Sequence, residues 1–269
     1  MDYIVVSFSG GKDSTAMLLH MIELGEHIDE VVCCDTYKEF PAMYQHINKI
    51  KKVVEDNNIK FTMLKSEKSF DYYMFEHTPK RKNEKYKDVK GYSWPWSRSR
   101  WCTSKLKVDI INRYFKQLRQ TYNVIQCIGL AYDEQYRLER ESNKKDSLRH
   151  PLVEWKWTEK ECLDYCYKHG FDFGGLYNIF KRVSCWCCPL QPLSELRKLY
   201  ELFPELWLEL KDMDDKTWYQ FRADYSVKDL EVRFELEKEY EKNGKSTRSK
   251  EFFKEFDSLR KNGECRWSE

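Results

Sequence analysis

Apolar, β-branched runs recur at YIVVSFS (3–9), EVVCCD (30–35), KFTMLKS (60–66) and NVIQCIGLA (123–131), each bounded by polar or turn-forming residues. Segments with helical spacing separate them. Strands that alternate with helices predict a parallel sheet with helices on both faces, an α/β fold. Residues 67–104 break the rhythm: HTPKRKNEKYKDVKGYSWPWSRSRWCTS is too polar, and too punctuated by proline and glycine, for a regular core element. It reads as a functional loop or lid. After Pro151, TEKECLDYCYKHG opens with a capping-box pair, Thr158 and Glu161, and closes on Gly170, which predicts a helix marked at both ends. From 193 onward the pattern is helical and heavily charged, so the chain is expected to divide into an α/β region, 1–192, and a helical region, 193–269. The charge runs near 233–256 read as solvated helix faces.

Composition narrows the setting. At 269 residues, 41% hydrophobic and 34% charged, the chain can bury an ordinary core without staples. Lys and Arg number 47 against 45 Asp and Glu, so an anionic partner has to be met by a local patch rather than by net charge. The first ten residues lack a basic stretch followed by an apolar segment, and no window suits a membrane span, so a cytoplasmic protein with no membrane partner is expected. In that reducing setting the 10 cysteines are read as core residues, metal or cluster ligands, or nucleophiles, not as a disulfide framework.

The stretch VVSFSGGKDSTAML (5–18) runs from the first strand through two glycines into the first helix. Backbone N–H groups and the helix dipole converge there on an anion, for which phosphate is the natural occupant. Gly10 and Gly11 let the backbone approach closely, Lys12 adds a mobile charge, and Ser7, Ser9, Ser14 and Thr15 offer hydroxyls. A P-loop of the GxxxxGK[ST] type would need glycine at Val6, and GxGxxG does not fit either. SxGGKDS instead resembles the signature of the PP-loop ATP pyrophosphatases. The resemblance implies ATP or an adenylyl-sulfate bound at Ser7, Ser9, Gly10, Gly11, Lys12, Asp13, Ser14 and Thr15, with Lys12 and Asp13 in catalytic roles and Mg²⁺ offsetting phosphate charge.

Within that superfamily the chain resembles the phosphoadenosine phosphosulfate (PAPS) reductase branch over roughly residues 3–192. CDTYKEFP (34–41) is similar to the DTGxxFPE element of that branch, with Tyr37 in place of glycine. GLAYDEQYRLER (129–140) is similar to GxRxxExxxR, which implies Glu134, with Arg137 or Arg140, near a phosphate or sulfate. Asp35, at a strand end, suits a ribose or adenine hydrogen bond or a helix cap.

Cys185 and Cys188 have the C-x-x-C spacing that suits an iron-sulfur cluster or zinc, and Cys102 is the natural third ligand. Assimilatory adenylyl-sulfate reductases, which this part resembles, hold a 4Fe-4S cluster on a cysteine pair and a later C-x-x-C; here Trp101 stands where the first cysteine of the pair would be. Three cysteines would leave one iron open to sulfide or substrate. Cys33, Cys34, Cys127, Cys162 and Cys166 read as small apolar core residues. Cys265, in NGECRWSE, matches only part of the family's ECGxH nucleophile element.

From Pro79 to Lys107 there are ten Lys or Arg, two acids and five aromatics, a composition for phosphates and base stacking or for capping ATP. Arg98, Arg100, Lys105 and Lys107 lie close enough in sequence to Cys102 to be expected to serve the site, Arg100 as a nucleotide-binding residue. The combined expectation is a cluster-dependent, nucleotide-activating sulfurtransferase. Its acceptor could be tRNA, DNA or a small molecule, and a cysteine desulfurase would be its sulfur donor. Its alternatives are an adenylyl-sulfate or PAPS reductase using Cys265 and a thioredoxin-like donor, and a non-catalytic nucleotide or redox sensor.

Overall fold

The computed structural model describes residues 2–139 and 147–262. The chain forms two compact units: Met1–Phe70 with Trp101–Trp186, and Asp71–Arg100 with Cys187–Glu269. The polar stretch after the third strand thus belongs with the C-terminal helices and not with the sheet on either side of it in sequence.

The first unit is built on β1 (Asp2–Phe8), β2 (Glu30–Asp35), β3 (Lys60–Lys65), β4 (Asn123–Ile128) and β5 (Leu148–Arg149), all parallel in the order β3-β2-β1-β4-β5. β1 and β2 are nearly continuous apolar runs because the strands of a parallel sheet are buried on both faces. Helices α1 (Lys12–Glu23), α2 (Pro41–Asp56) and α3 (Asp109–Leu118) carry the crossovers, and α4 (Glu159–Lys168) packs beside α1. Val5, Val32, Val124 and Phe115 form one buried cluster that seats α3 on the sheet. Helix α4 carries the capping box in full: Thr158 Oγ1 accepts from the Glu161 amide at 3.3 Å, and Glu161 accepts from the Thr158 amide at 2.8 Å. β5 is the strand the sequence pattern does not announce. It has only two residues, and Arg149 there reaches Glu26 and, at 2.8 Å, Glu154.

Of the expected core cysteines, Cys33, Cys127, Cys162 and Cys166 are buried and Cys34 is half-buried. Burial pushes the Cys33 and Cys166 thiols up to about 12, so they sit in the core as neutral groups.

The chain turns outward from β1 to β2 and β3 and returns to β4 on the other side, so the topological switch point lies between the carboxyl ends of β1 and β4. Those ends are held close together. A Cβ at Gly129, just past β4, would come within 2.9 Å of the Ser14 N and Cα in the first turn of α1.

The second unit contains α5 (Leu193–Leu202), α6 (Pro204–Lys216), α7 (Val227–Lys242) and α8 (Lys250–Asn262). Val232, Leu236, Tyr240, Phe252, Phe256 and Leu259 make the seam between α7 and α8. Some charges of α7 are not simply solvated: Arg233 pairs with Glu237 at 2.8 Å and donates to Tyr225 Oη, both side chains of the pair being largely buried. Segment 71–100 has a π-helical turn, Tyr72–Glu76, a 3-10 turn, Glu84–Tyr86, and a tight bridge between Trp96 and Ser99. Gly91 is obligatory there, with φ +72° and a backbone so close that a Cβ would overlap the Met74 carbonyl oxygen at 1.9 Å. Among the described residues no helix is long and apolar enough to cross a membrane.

Candidate active site

At the carboxyl end of β1, Gly10 takes φ +81° and lets the chain reverse into α1, whose N-cap is Gly11. No side chain caps this helix, so its first N–H groups are left for a partner from outside the helix. Hydroxyls now stand on them: Tyr177 Oη accepts from the Lys12 amide at 3.0 Å, and Ser9 Oγ lies 3.4 Å from the Gly11 amide. Ser14 Oγ lies 3.0 Å from Ser9 Oγ and 3.1 Å from the Ser9 amide, which ties the turn to the helix. Ser9 is exposed, Tyr177 half-buried and Ser14 buried, so the ring opens to solvent at Ser9, where phosphate oxygens could enter.

Lys12 is buried, 9% exposed, with its ammonium 2.9 Å from Asp13 Oδ1 and 2.7 Å from Glu159 Oε2. Burial works against its charge, but the two carboxylates outweigh that and raise its pKa above the ordinary lysine value. Asp13 is shifted upward, burial prevailing over Lys12 with Glu159 and Glu134 adding repulsion. The site therefore holds a permanently charged lysine among more acids than it can neutralise. An arriving polyphosphate is the ligand that could take the lysine from them.

The remaining expected residues separate into those at the turn and those elsewhere. Ser7 and Thr15 face inward: Gln126 donates to Ser7 Oγ at 2.7 Å across the sheet, and Thr15, fully buried, has its hydroxyl 3.0 Å from His46 Nε2. Glu134 and Arg137 pair with each other at 2.7 Å in the 3-10 segment after β4, and Arg140 lies outside the described residues. Asp35 accepts from the Tyr37 amide at 2.7 Å and Tyr44 Oη at 2.9 Å, with Lys65 at 2.8 Å. These contacts hold its pKa low against its burial and make it the clasp of the β2–α2 turn. Tyr37, where the family pattern has glycine, has φ +68°; the left-handed backbone explains the glycine, and a 2.6 Å hydrogen bond from Tyr37 Oη to the Ser66 carbonyl helps to hold the larger residue there. Arg100 is exposed in the second unit.

Glu159 and Tyr177, which complete the surroundings of Lys12, were not singled out by the sequence reading. Both lie more than 140 positions from Lys12. The usable signals were the acid directly after the Thr158 cap and the tyrosine of the GGLY stretch.

The cysteine set is divided. Cys185, in the first unit, donates to Glu39 Oε1 at 3.4 Å and lies 3.4 Å from Thr36 Oγ1, with the Lys107 charge nearby. Cys102, half-buried, is also in the first unit, whereas Cys188 is in the second. Among the described residues no three His, Cys, Asp or Glu side chains stand close enough together to hold a metal ion. Cys265 lies outside the described residues.

The pattern of the phosphoadenosine phosphosulfate reductase domain matches residues 3–191. The chain belongs to this family. Two uncharacterized proteins of Methanocaldococcus jannaschii, MJ0066 and MJ0973, are 25% identical over 212 residues and 26% identical over 217. These matches cover 76% and 78% of this chain but 40% and 47% of the relatives, so the chain spans less than half the length of either. Among solved structures, the U34-tRNA thiolase NcsA from Methanococcus maripaludis, with its 4Fe-4S cluster, is similar over 78% of this chain and 66% of that one, at a TM-score of 0.38 and 15% identity. The matched residues take in all five strands, apart from the first residue of β1, and the glycine turn at the β1–β4 switch point.

Proposed function

We propose that this PAPS reductase-family protein binds ATP at the β1–α1 turn and activates an acceptor oxygen by adenylylation ahead of sulfur transfer. The observation that carries the reading is Lys12: a buried ammonium at the start of an uncapped helix, beside a glycine turn, held by Asp13 and Glu159. In the proposed reaction the acceptor oxygen attacks the α-phosphorus, the α–β bridging bond breaks, and pyrophosphate leaves with added negative charge. Lys12 and the first amides of α1 stabilise that charge, the kind of contribution that is worth about 10²–10³ in rate when one donor is removed. Mg²⁺ would be held by the nucleotide's own phosphates and one or two carboxylates, a donor type that Asp13 and Glu134 supply.

An iron-sulfur cluster on Cys102, Cys185 and Cys188 is the second element of the proposal and rests on the C-x-x-C spacing. Cys102 and Cys185 would hold it from the first unit and Cys188 from the second.

Release of pyrophosphate from ATP by the purified protein tests the nucleotide half. Lys12→Ala is expected to slow it by about 10²–10³ while leaving the thermal unfolding profile cooperative. Undiminished pyrophosphate release from that variant would remove the turn from the chemistry.

A further inference from the structure

Tyr86, Tyr92, Trp94 and Trp96 of segment 71–100 line a hollow in the second unit. Loop 86–97 and segment 218–224 enclose a cavity of about 650 Å³ walled by Tyr86, Trp96, Trp218, Tyr219 and Phe221. The volume is that of an ordinary small-ligand site. We propose that this cavity binds an unpaired stretch of RNA, one base at a time stacked on its rings, with the strand's phosphates on the basic loop. In making that RNA the acceptor the proposal rests on the activation chemistry above; the binding itself does not.

The walls are built before any ligand arrives. The Trp218 indole N–H donates to the Gly91 carbonyl at 3.1 Å, the Trp94 N–H donates to Asp214 at 2.8 Å, and Ser93 Oγ donates to the Tyr219 carbonyl at 3.0 Å. The Arg81 guanidinium lies 5.0 Å from the Trp218 ring centre while also donating to the Tyr86 carbonyl, and the Tyr86 ring stands 5.1 Å from Trp218. Arg222 braces the floor by donating to the carbonyls of Pro189 and Gln191, each at 2.8 Å. The indole N–H groups of Trp218 and Trp94 are thus committed to the scaffold, which fixes both rings in the wall. Trp96 is 51% exposed, Tyr219 49% and Trp218 38%, three large exposed rings gathered at one cavity.

Charge decides the kind of partner. Residues 79–100 carry eight Lys or Arg against Glu84 and Asp88, and Lys80, Lys82, Lys85, Lys87, Lys90, Arg98 and Arg100 are exposed. Exposed cations interleaved with open ring faces match phosphates interleaved with bases. A duplex is excluded as the direct ligand because its base faces are hidden in the stack, so the strand has to be unpaired. Asp224 favours RNA over DNA. Its carboxylate lines the cavity, accepts from Arg222 Nε at 3.1 Å through Oδ1, and has no described donor on Oδ2. A carboxylate repels phosphate but accepts readily from a hydroxyl, and the 2′-OH is the donor that ribose has and deoxyribose lacks.

Fluorescence anisotropy of the full-length protein, without ATP, against a short unstructured RNA and a DNA of the same sequence tests the site apart from the nucleotide chemistry. The RNA is expected to bind more tightly than the DNA, with an affinity that falls steeply as salt rises. Trp96→Ala is expected to weaken RNA binding by about tenfold or more, Tyr219→Ala to do likewise, and Trp96→Phe to restore most of the affinity by returning a ring. Asp224→Ala is expected to bring RNA affinity down to that of DNA. Unchanged RNA affinity in Trp96→Ala and Tyr219→Ala, with wild-type circular dichroism, overturns the cavity as the site. DNA binding as tight as RNA in the wild type overturns the assignment to ribose.

Discussion

His46 shows how one residue can tie the core to the helix that follows the glycine turn. It is 3% exposed, its ring tilted against Phe173 with centres 4.3 Å apart, and its Nε2 is 3.0 Å from the hydroxyl of Thr15 in α1. Burial, with the Lys49 charge adding, pushes its pKa down to about 4 from 6.5. A depressed folded pKa means that the unfolded chain binds the proton first as the pH drops. The stability it contributes is therefore complete above pH 6.5 and is lost as the pH falls towards 4, by roughly 3 kcal/mol in all. Urea unfolding at stepped pH should show this loss in the wild type and a flatter profile in His46→Gln, which keeps a partner for Thr15. Equal profiles would mean that the imidazole does not titrate in this window. At the residue scale the sequence puts Lys12, Asp13 and the two glycines in one turn because they are chain neighbours. It cannot give the direction of the Ser7 and Thr15 hydroxyls, which depends on partners across the sheet and in the next helix, Gln126 and His46.

Elements carry the site through their ends. The first turn of α1 offers its amides because Gly11 supplies no cap, while α4, packed beside α1, begins with a full capping box and brings Glu159 to the Lys12 ammonium at 2.7 Å. The same cap therefore stabilises a helix and positions a site residue. Thr158→Ala removes the acceptor for the Glu161 amide and is expected to cost about 1 kcal/mol. For a chain of this length that corresponds to a melting temperature lower by about 2–4 °C, measured by thermal circular dichroism. No change would show that the cap is replaced by solvent at no cost. The four long strands were legible from apolar runs because a parallel strand buries both faces. β5 was not, since two residues with a charged side chain make no pattern, and their pairing with β4 is a tertiary event.

At the scale of the molecule the division into units bears directly on the cysteines. Cys102 and Cys185 belong to the sheet-containing unit and Cys188 to the helical one. If the three serve one cluster, protein purified without oxygen should contain iron and acid-labile sulfide, and Cys102→Ala, Cys185→Ala and Cys188→Ala should each lose most of both. Iron that is absent, or indifferent to all three changes, would end the cluster reading and leave the nucleotide turn untouched.

The order of strands and helices, the glycine turn into α1 and the capping of α4 were determined by the sequence alone, since each depends on residues within a few positions of one another and on the period of burial. Only the tertiary structure decided that Glu159 and Tyr177 close around Lys12, that Thr15 turns inward to His46, and that segment 71–100 joins the C-terminal helices to enclose an aromatic cavity. Those contacts link positions from 31 to 165 residues apart in the case of the hydrogen bonds. No local preference encodes such a pairing; it arises when the whole core closes.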